Sequence, residues 1–494
     1  MIFTSLHYIF FLPLIVGLFW GIPKRYRVWV IAIASAAFYA SWNPAYLPLL
    51  LLVTALSWGF GVLLHKQKKT GKISFSLMIF VLLLPLFFFK YSNWFIENLN
   101  LFLLQKQQPI TCEQEINGIG TPNPIPCMET IFGVQKWILP VGISFFSFQA
   151  VAYVVDVYRD KKHAKSPLNF FAFLAFFPQL VAGPIVRRKE LLPQLQNLGY
   201  LKQGMVSQGI YRICKGMIKK LLIADLINKF IVKLPFETPG DYSSLELWIA
   251  LYSYTIQIYY DFSAYTDIAI GSALLFGIRL PENFYRPYKA TSVAEFWRRW
   301  HRTLSDWIRD YIYYPLGGSQ GLPTWKVYRN IMATLIIIGV WHGASWNFVI
   351  YGCLHGTAVS INRWQRKRTG RKAGMPFPNA FAWFWRFFLT FHFVVLARIL
   401  FKAADLTIAQ EYFSLLWDNP WPFFSFKQDV RYIAIAALGF AIHFSPEEWE
   451  SKAKNIFSSL DPALQAMFAA IVGGACLWWL SNSEHASTFI YYSF

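Results

Sequence analysis

The amino-acid sequence predicts an all-α protein that crosses a membrane several times. Hydrophobic residues make up 55% of its 494 residues and charged residues only 15%, whereas soluble proteins average about 25% charged residues. Several apolar stretches approach or exceed the roughly 18 residues with which a helix spans a bilayer. Because no long polar segment separates them, we predict one integral membrane domain over residues 1–494. The stretches are 46–64, 73–90, 138–157, 432–444 with its flanks, and 464–480.

The positions of the basic residues predict how these spans are oriented. The net charge of +20 is concentrated in short loops between apolar stretches. This is the pattern of cytoplasmic loops, and it argues against nucleic-acid binding. If every cluster faces the cytoplasm and its anionic lipids, the first spans are 8–22 and 27–43 and the N-terminus is extracytoplasmic. The clusters are 24–27, 66–72, 159–165, 187–189 and 363–372.

The same alternation places residues 107–135 in an extracytoplasmic loop. This loop contains Cys112 and Cys127, which could pair in an oxidising compartment. Such a disulfide would close a loop of about 15 residues and contribute about 3 kcal/mol in the chain-entropy model. The alternative is two unpaired thiols in a mobile loop.

Residues 168–186 predict a re-entrant segment rather than a full span. Pro178, Gly183 and Pro184 interrupt this apolar stretch, and both of its flanks are basic. Both ends are therefore expected on the cytoplasmic side. Irregular backbone at membrane depth is tolerated only where it is buried in protein or lines a wet cavity, so we expect this segment inside the helical core.

Two stretches have the periodicity of amphipathic helices lying at the cytoplasmic interface. The second, residues 292–312, begins with the sequence S-V-A-E, which fits a capping box. Its spacing places His301 at the edge of the apolar face. The first, residues 206–227, combines an apolar stripe with a basic stripe of Arg212, Lys215 and Lys219.

A helical hairpin is predicted over residues 330–342 and 345–362, and it contains the first candidate for catalysis. His342 ends an almost uncharged run in the first arm. An ionisable residue at membrane depth is a functional-site hypothesis by default, and histidine exchanges a proton near neutral pH. His301, among tryptophans and arginines, is the second candidate. His355, on the second arm, fits a structural hydrogen bond better.

Several other functions have no support in the sequence. No HExxH or CxxC spacing predicts a metal site. No GxSxG motif predicts a serine hydrolase, and no Walker A or GxGxxG loop predicts nucleotide binding. Transport stays open, because broken helices near the membrane midplane are typical of transporters.

Four motifs in the catalytic region resemble the membrane-bound O-acyltransferase family. Three further motifs resemble its bacterial members, and within the family the chain is most similar to the alginate-acetylating branch. The first four motifs are EFWRRWH (295–301), LSDWIRDY (304–311), YPLGG (314–318) and WHGA (341–344). The other three are LPVGISF (139–145), FPQLVAGP (177–184) and YDFSAYTDIAIG (260–271).

The resemblance implies a fold and a reaction. The fold would be a helical core, with re-entrant and interfacial amphipathic helices around a transmembrane tunnel. The reaction would move an acetyl group from a cytoplasmic thioester, acetyl-CoA or another acyl thioester, across a bacterial inner membrane, with no bound cofactor. An extracytoplasmic polysaccharide would be O-acetylated indirectly, through exported acetyltransferase partner proteins for which loop 107–135 is a candidate docking surface. D-alanyl transfer to teichoic acid and a non-enzymatic transporter remain alternatives.

The resemblance also implies roles for individual residues within a catalytic core segment, 292–362. The family's catalytic histidine corresponds to His342, the proposed base, and its second characteristic histidine to His301, a donor-positioning or relay group. The chain departs from the alginate-type pattern at Lys402, where arginine is more usual, and lysine does not replace the forked contact of arginine. The residues expected to orient the histidines or line the substrate tunnel are Trp300, Arg309, Asp310, Trp341, Asn347 and Gln179.

Overall fold

The computed structural model describes residues 3, 5–67, 71–104, 138–370, 379–418, 429–482 and 489. Within these residues the chain is all-α, without a β-strand. The loop 107–135, with Cys112 and Cys127, lies outside them. The helices are α1 (Leu6–Gly21), α2 (Arg27–Ala40), α3 (Leu47–Lys66), α4 (Lys72–Leu104), α5 (Ile143–Asp160), α6 (Pro167–Leu174), α7 (Phe177–Leu180), α8 (Arg188–Gln196), α9 (Met205–Ile218), α10 (Lys233–Glu237), α11 (Ser244–Leu275), α12 (Val293–Arg299), α13 (Arg302–Ile308), α14 (Thr324–His342), α15 (Trp346–Thr369), α16 (Ala380–Lys402), α17 (Leu406–Asp418), α18 (Val430–Phe444), α19 (Glu447–Ser459) and α20 (Pro462–Asn482).

Apolar helices of membrane-spanning length confirm the prediction of a multi-pass membrane protein. Four helices in the described residues are long and apolar enough to cross a bilayer, and two shorter apolar helices accompany them. The four are Pro44–Lys66, Lys72–Leu103, Ala380–Lys402 and Pro462–Trp479, and the shorter ones are His7–Gly21 and Val430–Phe444.

Helix α4 is longer than the predicted span, which ended at residue 90. It continues to Leu104 because its last turns pack against the start of α15. The rings of Trp94 and Trp346 lie 5.6 Å apart, and the indole nitrogen of Trp346 donates a hydrogen bond of 2.8 Å to the Asn98 side chain. Helix α4 thereby contacts the turn of the predicted hairpin.

The centre of the molecule is α11, a buried helix that the sequence analysis did not predict as an element. Its N-terminus has a capping box of Ser243 and Glu246. Helix α9 packs along it through small residues, since a Cβ atom on Gly209 would lie 2.9 Å from the backbone oxygen of Gly271. Small residues that let helix backbones approach closely are typical of membrane proteins.

The basic stripe of the first predicted amphipathic helix contacts carboxylates of the protein rather than standing free at the membrane surface. Lys219 lies 2.7 Å from Asp267 and Lys215 lies 2.7 Å from Glu450, and Arg212 lies 2.8 Å from Asp267. The predicted helix 206–227 is also not uniform, because α9 ends at Ile218 and continues as a π-helix, Lys219–Asp225.

The re-entrant segment is confirmed by its geometry. Helices α6 and α7 are short and broken from one another at residues 175–176; half of the residues of α6 and all four residues of α7 are buried. The Arg188 guanidinium lies 2.5 Å from the Asp160 carboxylate, so the chain enters and leaves this segment at the same place. The segment thus contributes to the core without crossing it.

The predicted hairpin is present as α14 and α15, with a turn at residues 343–345. The two arms are packed backbone to backbone, because a Cβ atom on Gly339 would lie 2.1 Å from the oxygen of Phe348. Likewise a Cβ on Gly352 would lie 2.7 Å from the oxygen of Leu335. This close packing fixes the position of His342 at the end of α14.

Candidate active site

His342 is the last residue of α14 and is 2% exposed. Aromatic rings surround its imidazole. The ring centroid of Phe401 lies 5.0 Å away, that of Trp341 5.1 Å, and those of Phe348 and Tyr351 6.4 Å each. Exclusion of water in such a site strengthens every electrostatic interaction made there.

The backbone around His342 is held by α4. The last carbonyl groups of a helix have no partner within that helix, and a cation near them is favourable. Here the Lys90 ammonium donates to the backbone oxygens of Trp341 (2.6 Å) and His342 (3.2 Å). The Tyr91 hydroxyl donates to the oxygen of Val340 at 3.0 Å, so α4 caps the helix that ends in His342.

The prediction of one continuous helix over residues 292–312 is wrong, because the backbone breaks at His301. The chain is extended at Trp300, left-handed at His301 with φ +44°, and helical again from Arg302. The Ser305 hydroxyl donates to the Trp297 oxygen at 2.8 Å, which satisfies a carbonyl near the break. A continuous helix would leave His301 at the edge of the apolar face, whereas the break buries it completely.

Asn283 determines the orientation of His301. Its buried side-chain oxygen lies 3.0 Å from Nδ1 of His301 and also accepts from the Thr303 hydroxyl at 2.9 Å and the Thr303 N–H at 3.3 Å. Because an amide oxygen only accepts, Nδ1 carries the proton and Nε2 is the basic nitrogen. Nothing in the spacing of the sequence identifies Asn283, since its partner lies 18 residues away.

Trp341 connects the two histidines, as one of the predicted site residues. Its ring centroid lies 5.9 Å from that of His301 and 5.1 Å from that of His342. It also stacks on Phe148, at 5.5 Å. The structure therefore brings His301, Trp341 and His342 together although 41 residues separate the histidines along the chain.

Trp300 is also at the site, together with an arginine that the sequence analysis missed. The buried guanidinium of Arg398 lies 4.4 Å from the centre of the Trp300 ring and 5.4 Å from that of Phe401, distances at which cation and aromatic ring attract one another. Because Phe401 also contacts His342, Arg398 belongs to the same cluster. An arginine inside an apolar helix was the available signal, since ionisable residues at membrane depth are functional candidates.

His355 is linked to His342 through Tyr351. The rings of Tyr351 and His355 lie 4.3 Å apart, and Tyr351 also contacts His342. The indole N–H of Trp297 donates to Nδ1 of His355 at 3.2 Å, which leaves the ring proton on Nε2. This hydrogen bond agrees with the structural role predicted for His355, although the residue lies closer to the catalytic candidates than expected.

Arg309 and Asp310, predicted to orient the histidines or line the substrate tunnel, make no contact with either histidine among the described residues, although Arg309 lines a cavity. Both are in a π-helix, Arg309–Tyr313, beyond α13. Arg309 pairs with Asp306 at 2.6 Å and with Asp310 at 2.9 Å, and Asp310 also pairs with Arg187. Burial disfavours the charged carboxylate of Asp310, but the hydrogen bonds from Arg309 and Arg187 outweigh it and lower the pKa of Asp310. These residues organise the basic face of the molecule.

Gln179 and Asn347 stabilise backbone near the site. The Gln179 amide donates to the oxygen of Phe173 at 3.1 Å, so in the described contacts it closes the re-entrant segment rather than meeting a histidine. The Asn347 amide donates to the oxygen of Ala403 at 3.0 Å. Asn347 thereby joins the start of α15, beside His342, to the end of α16.

A cavity of about 320 Å³ lies on the basic side of the histidines. Its lining combines apolar residues of α14, such as Ile338, with the tryptophan and serine that flank His301 in the chain, Trp297 and Ser305. We call it the arginine cavity, because four arginines line it: Arg298, Arg309, Arg363 and Arg366.

A second cavity, of about 510 Å³, lies at the other end of the hairpin. It is bounded by the hairpin turn, by Phe348, by Leu139, by Phe89 and Lys90 in the middle of α4, and by the end of α16. We call it the vestibule. Phe348 lines the vestibule and Asn362 lines the arginine cavity, and 14 residues of α15 correspond to about 21 Å. The two cavities are therefore on opposite sides of the hairpin.

Comparisons with known proteins agree with this arrangement. Residues 35–403 match the model of the membrane-bound O-acyltransferase family. A probable alginate O-acetylase of Azotobacter vinelandii is 35% identical over 430 residues, 84% of this chain and 78% of that protein. A peptidoglycan O-acetyltransferase of Helicobacter pylori is 34% identical over 416 residues, 78% of this chain and 73% of that protein. A teichoic acid D-alanyltransferase of Streptococcus thermophilus is 27% identical over 420 residues, 79% and 91% of the two chains.

The matched segment includes both histidines and the residues that hold them, from Lys90 to Arg398. It also includes the helices of membrane-spanning length α3, α4 and α16. The family match covers most of the chain, and the relatives with the higher identities are named for O-acetyl transfer. The chain therefore belongs to the membrane-bound O-acyltransferase family and is a multi-pass membrane acyltransferase.

Proposed function

We propose that this acyltransferase transfers an acetyl group from a cytoplasmic thioester to a hydroxyl group on the opposite side of the membrane. One observation carries the proposal: residues on either side of His342 in the chain line two different cavities. Ile338, one helical turn before His342, lines the arginine cavity, and Gly343, the next residue, lines the vestibule. A donor in the first cavity and an acceptor in the second would meet at this histidine.

The arginine cavity suits the donor. Acetyl-CoA carries phosphate groups, and the planar guanidinium binds phosphate in a forked, two-hydrogen-bond geometry. The four arginines line this cavity together with apolar residues of α13, α14 and α15, such as Ile308, Leu335 and Val359. The apolar walls would accommodate the uncharged arm that carries the thioester toward Ile338. No cofactor is needed beyond this substrate.

His342 acts as the general base. The acceptor hydroxyl attacks the thioester carbonyl, and its proton passes to the imidazole as the new C–O bond forms. When the C–S bond breaks, the thiolate leaves and takes up that proton, so the histidine is regenerated. General-base catalysis typically contributes 10²–10⁴-fold, and the aromatic surroundings of His342 strengthen the electrostatic stabilisation of the intermediate.

His301 positions the donor side of the reaction. Asn283 fixes its proton on Nδ1, so Nε2 is the ring nitrogen that accepts hydrogen bonds. Trp297 and Ser305, four residues on either side, line the arginine cavity. His301 can therefore accept a hydrogen bond from a donor group or pass a proton toward Trp341 and His342, and it is a relay rather than a second base.

Contacts among the basic clusters support a cytoplasmic location of the arginine cavity. Lys161 donates to the oxygen of Leu64 at 3.3 Å, and Arg159 donates to the oxygen of Asp310 at 3.0 Å. Arg309 and Arg363 line one cavity. Three of the five basic clusters, 66–72, 159–165 and 363–372, thus lie at or next to one face. With that face in the cytoplasm, the chain would lie in a bacterial inner membrane with its N-terminus outside.

The acetyl group would finally modify an extracytoplasmic polysaccharide. The names of the relatives support this class of product, since they include an alginate O-acetylase and a peptidoglycan O-acetyltransferase. We propose that exported acetyltransferases receive the acetyl group at the vestibule and complete its transfer, so the polysaccharide is an indirect substrate. Beyond these proteins, the lipid bilayer is the partner of the chain.

The proposal is tested by measuring the esters of cell-surface glycans. Acetate and D-alanine are released by mild alkali and assayed separately in cells that produce the wild-type protein or the His342→Ala variant. Loss of acetate alone supports the proposal. Loss of D-alanine alone replaces it with D-alanyl transfer, the activity named for the Streptococcus thermophilus relative.

The matched control for this experiment is His392→Ala. His392 is a half-buried histidine of α16 that is hydrogen-bonded to the Tyr252 hydroxyl at 2.8 Å and lines neither cavity. Its loss should leave both esters near wild-type levels. If both esters are unchanged in His342→Ala cells with normal amounts of the protein, acyl transfer through His342 is refuted and transport becomes the better explanation.

A further inference from the structure

We propose that Arg398 is a positioning residue of the acyl-transfer reaction, and that its buried guanidinium holds the aromatic side chains that pack beside both histidines. The inference rests on the proposed function, since the reaction that is positioned is acetyl transfer at His342. Arg398 lines neither the arginine cavity nor the vestibule. It therefore acts through other side chains rather than by touching a substrate.

Arg398 connects the surroundings of the two histidines. Its guanidinium carbon lies 4.4 Å from the ring centre of Trp300, the residue before His301. The same carbon lies 5.4 Å from the ring centre of Phe401. The Phe401 ring in turn lies 5.0 Å from the imidazole of His342. Because all of these side chains are buried, a displacement of the guanidinium would disturb the packing around both histidines.

Further aromatic groups complete the surroundings of the guanidinium. The ring centre of Phe296 lies 5.9 Å from its carbon. The phenol groups of Tyr254, Tyr288 and Tyr351 interact with it electrostatically. A cation is attracted by the face of an aromatic ring, and the attraction is stronger when both are removed from water. These rings belong to three helices and to the 3₁₀ turn that precedes α12, so one charge joins four separate segments.

The charge of Arg398 requires an explanation beyond the filling of space. Its side chain is 1% exposed, and burial of a charged group costs free energy unless its surroundings compensate it. A methionine would fill a similar space without that cost. We therefore infer that the charge is needed to hold the faces of the surrounding rings, above all Trp300 and Phe401, in one arrangement.

The arrangement of these rings matters for the reaction because a general base must lie within hydrogen-bond reach of the proton it removes. A misplacement of about 1 Å can cost about 100-fold in rate. The imidazole of His342 packs against Phe401 on one side and against Phe348 and Tyr351 of α15 on the other. Loss of the guanidinium leaves the first of these contacts without support. We therefore expect Arg398 to affect the chemical step and not the binding of the donor.

The inference is tested by kinetics in inside-out membrane vesicles, which keep the chain with its natural acceptors. Radiolabelled acetyl-CoA is added outside, and labelled esters are recovered from the vesicle lumen. Arg398→Met should lower the maximal rate about 10- to 30-fold, the rate equivalent of a desolvated cation–aromatic contact, and leave KM for acetyl-CoA unchanged. Arg363→Gln, in the lining of the arginine cavity, should mainly raise KM.

Two further variants separate the charge from the shape of the side chain. Arg398→Lys keeps a cation beside the rings and should reach a maximal rate within about threefold of the wild type. Arg398→Gln is a second neutral variant, for the case that Arg398→Met does not accumulate in the membrane. The matched control is Arg386→Met, which removes an arginine twelve residues earlier in α16, about 18 Å away, and should keep the wild-type rate.

A double-mutant cycle tests whether Arg398 acts through Phe401. Arg398→Met and Phe401→Leu should each lower the maximal rate. The double variant should be about as slow as the slower single variant, because both changes remove the same contact. The same cycle is measured in thermal unfolding, where coupling between the two residues is independent of catalysis.

Equal maximal rates for the lysine variant and the neutral variants at residue 398 overturn the inference, and so do additive effects in the cycle. Coupling in thermal unfolding without labelled esters from wild-type vesicles would refute the proposed function alone. Acetyl transfer by the wild type at a rate that Arg398→Met leaves unchanged would refute the inference alone.

Discussion

His342 ends a regular helix whose last carbonyls are held by Lys90, whereas His301 sits in a break between two short helices and is held through its own ring by Asn283. Both are almost completely buried, and both contact Trp341. The protein thus fixes the backbone of one histidine and the imidazole of the other.

This difference assigns different tasks to the two residues. A ring whose Nδ1 proton is fixed by an acceptor has one basic nitrogen at one defined position, which suits orientation and relay. His342 instead has its neighbour Gly343 in the vestibule lining and Ile338, one helical turn before it, in the lining of the arginine cavity. This position fits the role of general base that we propose for it.

The largest expected effect is a difference in the rate of acetyl transfer between variants of the two histidines. His342→Gln should lower the initial rate of acetyl transfer from radiolabelled acetyl-CoA by about 10²–10⁴-fold, since it removes the base. His301→Gln should lower it less, by about 10–100-fold. Purified protein in nanodiscs gives both rates. A His301 variant that is slower than the His342 variant would reverse the assignment of base and relay.

The next effect tests the hydrogen bond that fixes His301. Asn283→Ala should lower the rate about 10–100-fold, the usual cost of losing the partner that orients a functional histidine, and should shift the pH profile because the ring is no longer held in one tautomer. Asn330→Ala is the control. Asn330 is equally buried and donates to the oxygens of Leu316 and Gly318, so its loss should affect stability without moving the pH profile.

A smaller effect tests the support of His342 by α4. Lys90→Met should lower kcat about tenfold and destabilise the protein by about 1–2 kcal/mol, because two helix-terminal carbonyls lose a charged donor. Lys90→Arg keeps a donor at this position and should recover most of kcat. Equal kcat values for the two variants would show that the ammonium contact does not position His342.

The smallest effect concerns the backbone at the break. A left-handed conformation costs a residue with a Cβ atom about 1–2 kcal/mol, and His301 has φ +44°. Both His301→Ala and His301→Gly remove the imidazole, but the glycine variant also removes this strain. We expect it to be more stable than the alanine variant by about 1 kcal/mol in thermal unfolding. A less stable glycine variant would mean that the break is not strained.

Features with a local signal in the sequence were predicted well. Apolar length predicted the spans α3 and α20, and the proline and glycine residues of 168–186 predicted the broken, re-entrant α6 and α7. The glycine turn at residues 343–345 predicted the hairpin and the position of His342 at its end. Each of these patterns depends on residues within one or two turns of one another, so periodicity and turn chemistry report them directly.

Features that depend on a distant partner were missed or wrong. The pattern of residues 292–312 is helical throughout, and only the contact of Asn283 with His301 and Thr303 accompanies the break that buries the histidine. The basic stripe with Lys215 was predicted at the membrane surface, but its carboxylate partner Glu450 lies 235 residues away. Periodicity reports which face of a helix is polar and does not report what covers it.

By itself, the sequence determined that the chain is a multi-pass α-helical membrane protein, and it identified His342 and His301 as candidate catalytic residues. Tertiary structure alone decided that Trp341 joins the two histidines, that Lys90 caps the helix ending in His342, and that residues near His342 line two separate cavities. The physical reason is the range of the interactions. Apolar length and charge act on each segment separately, whereas a buried polar contact exists only when two distant segments have packed together.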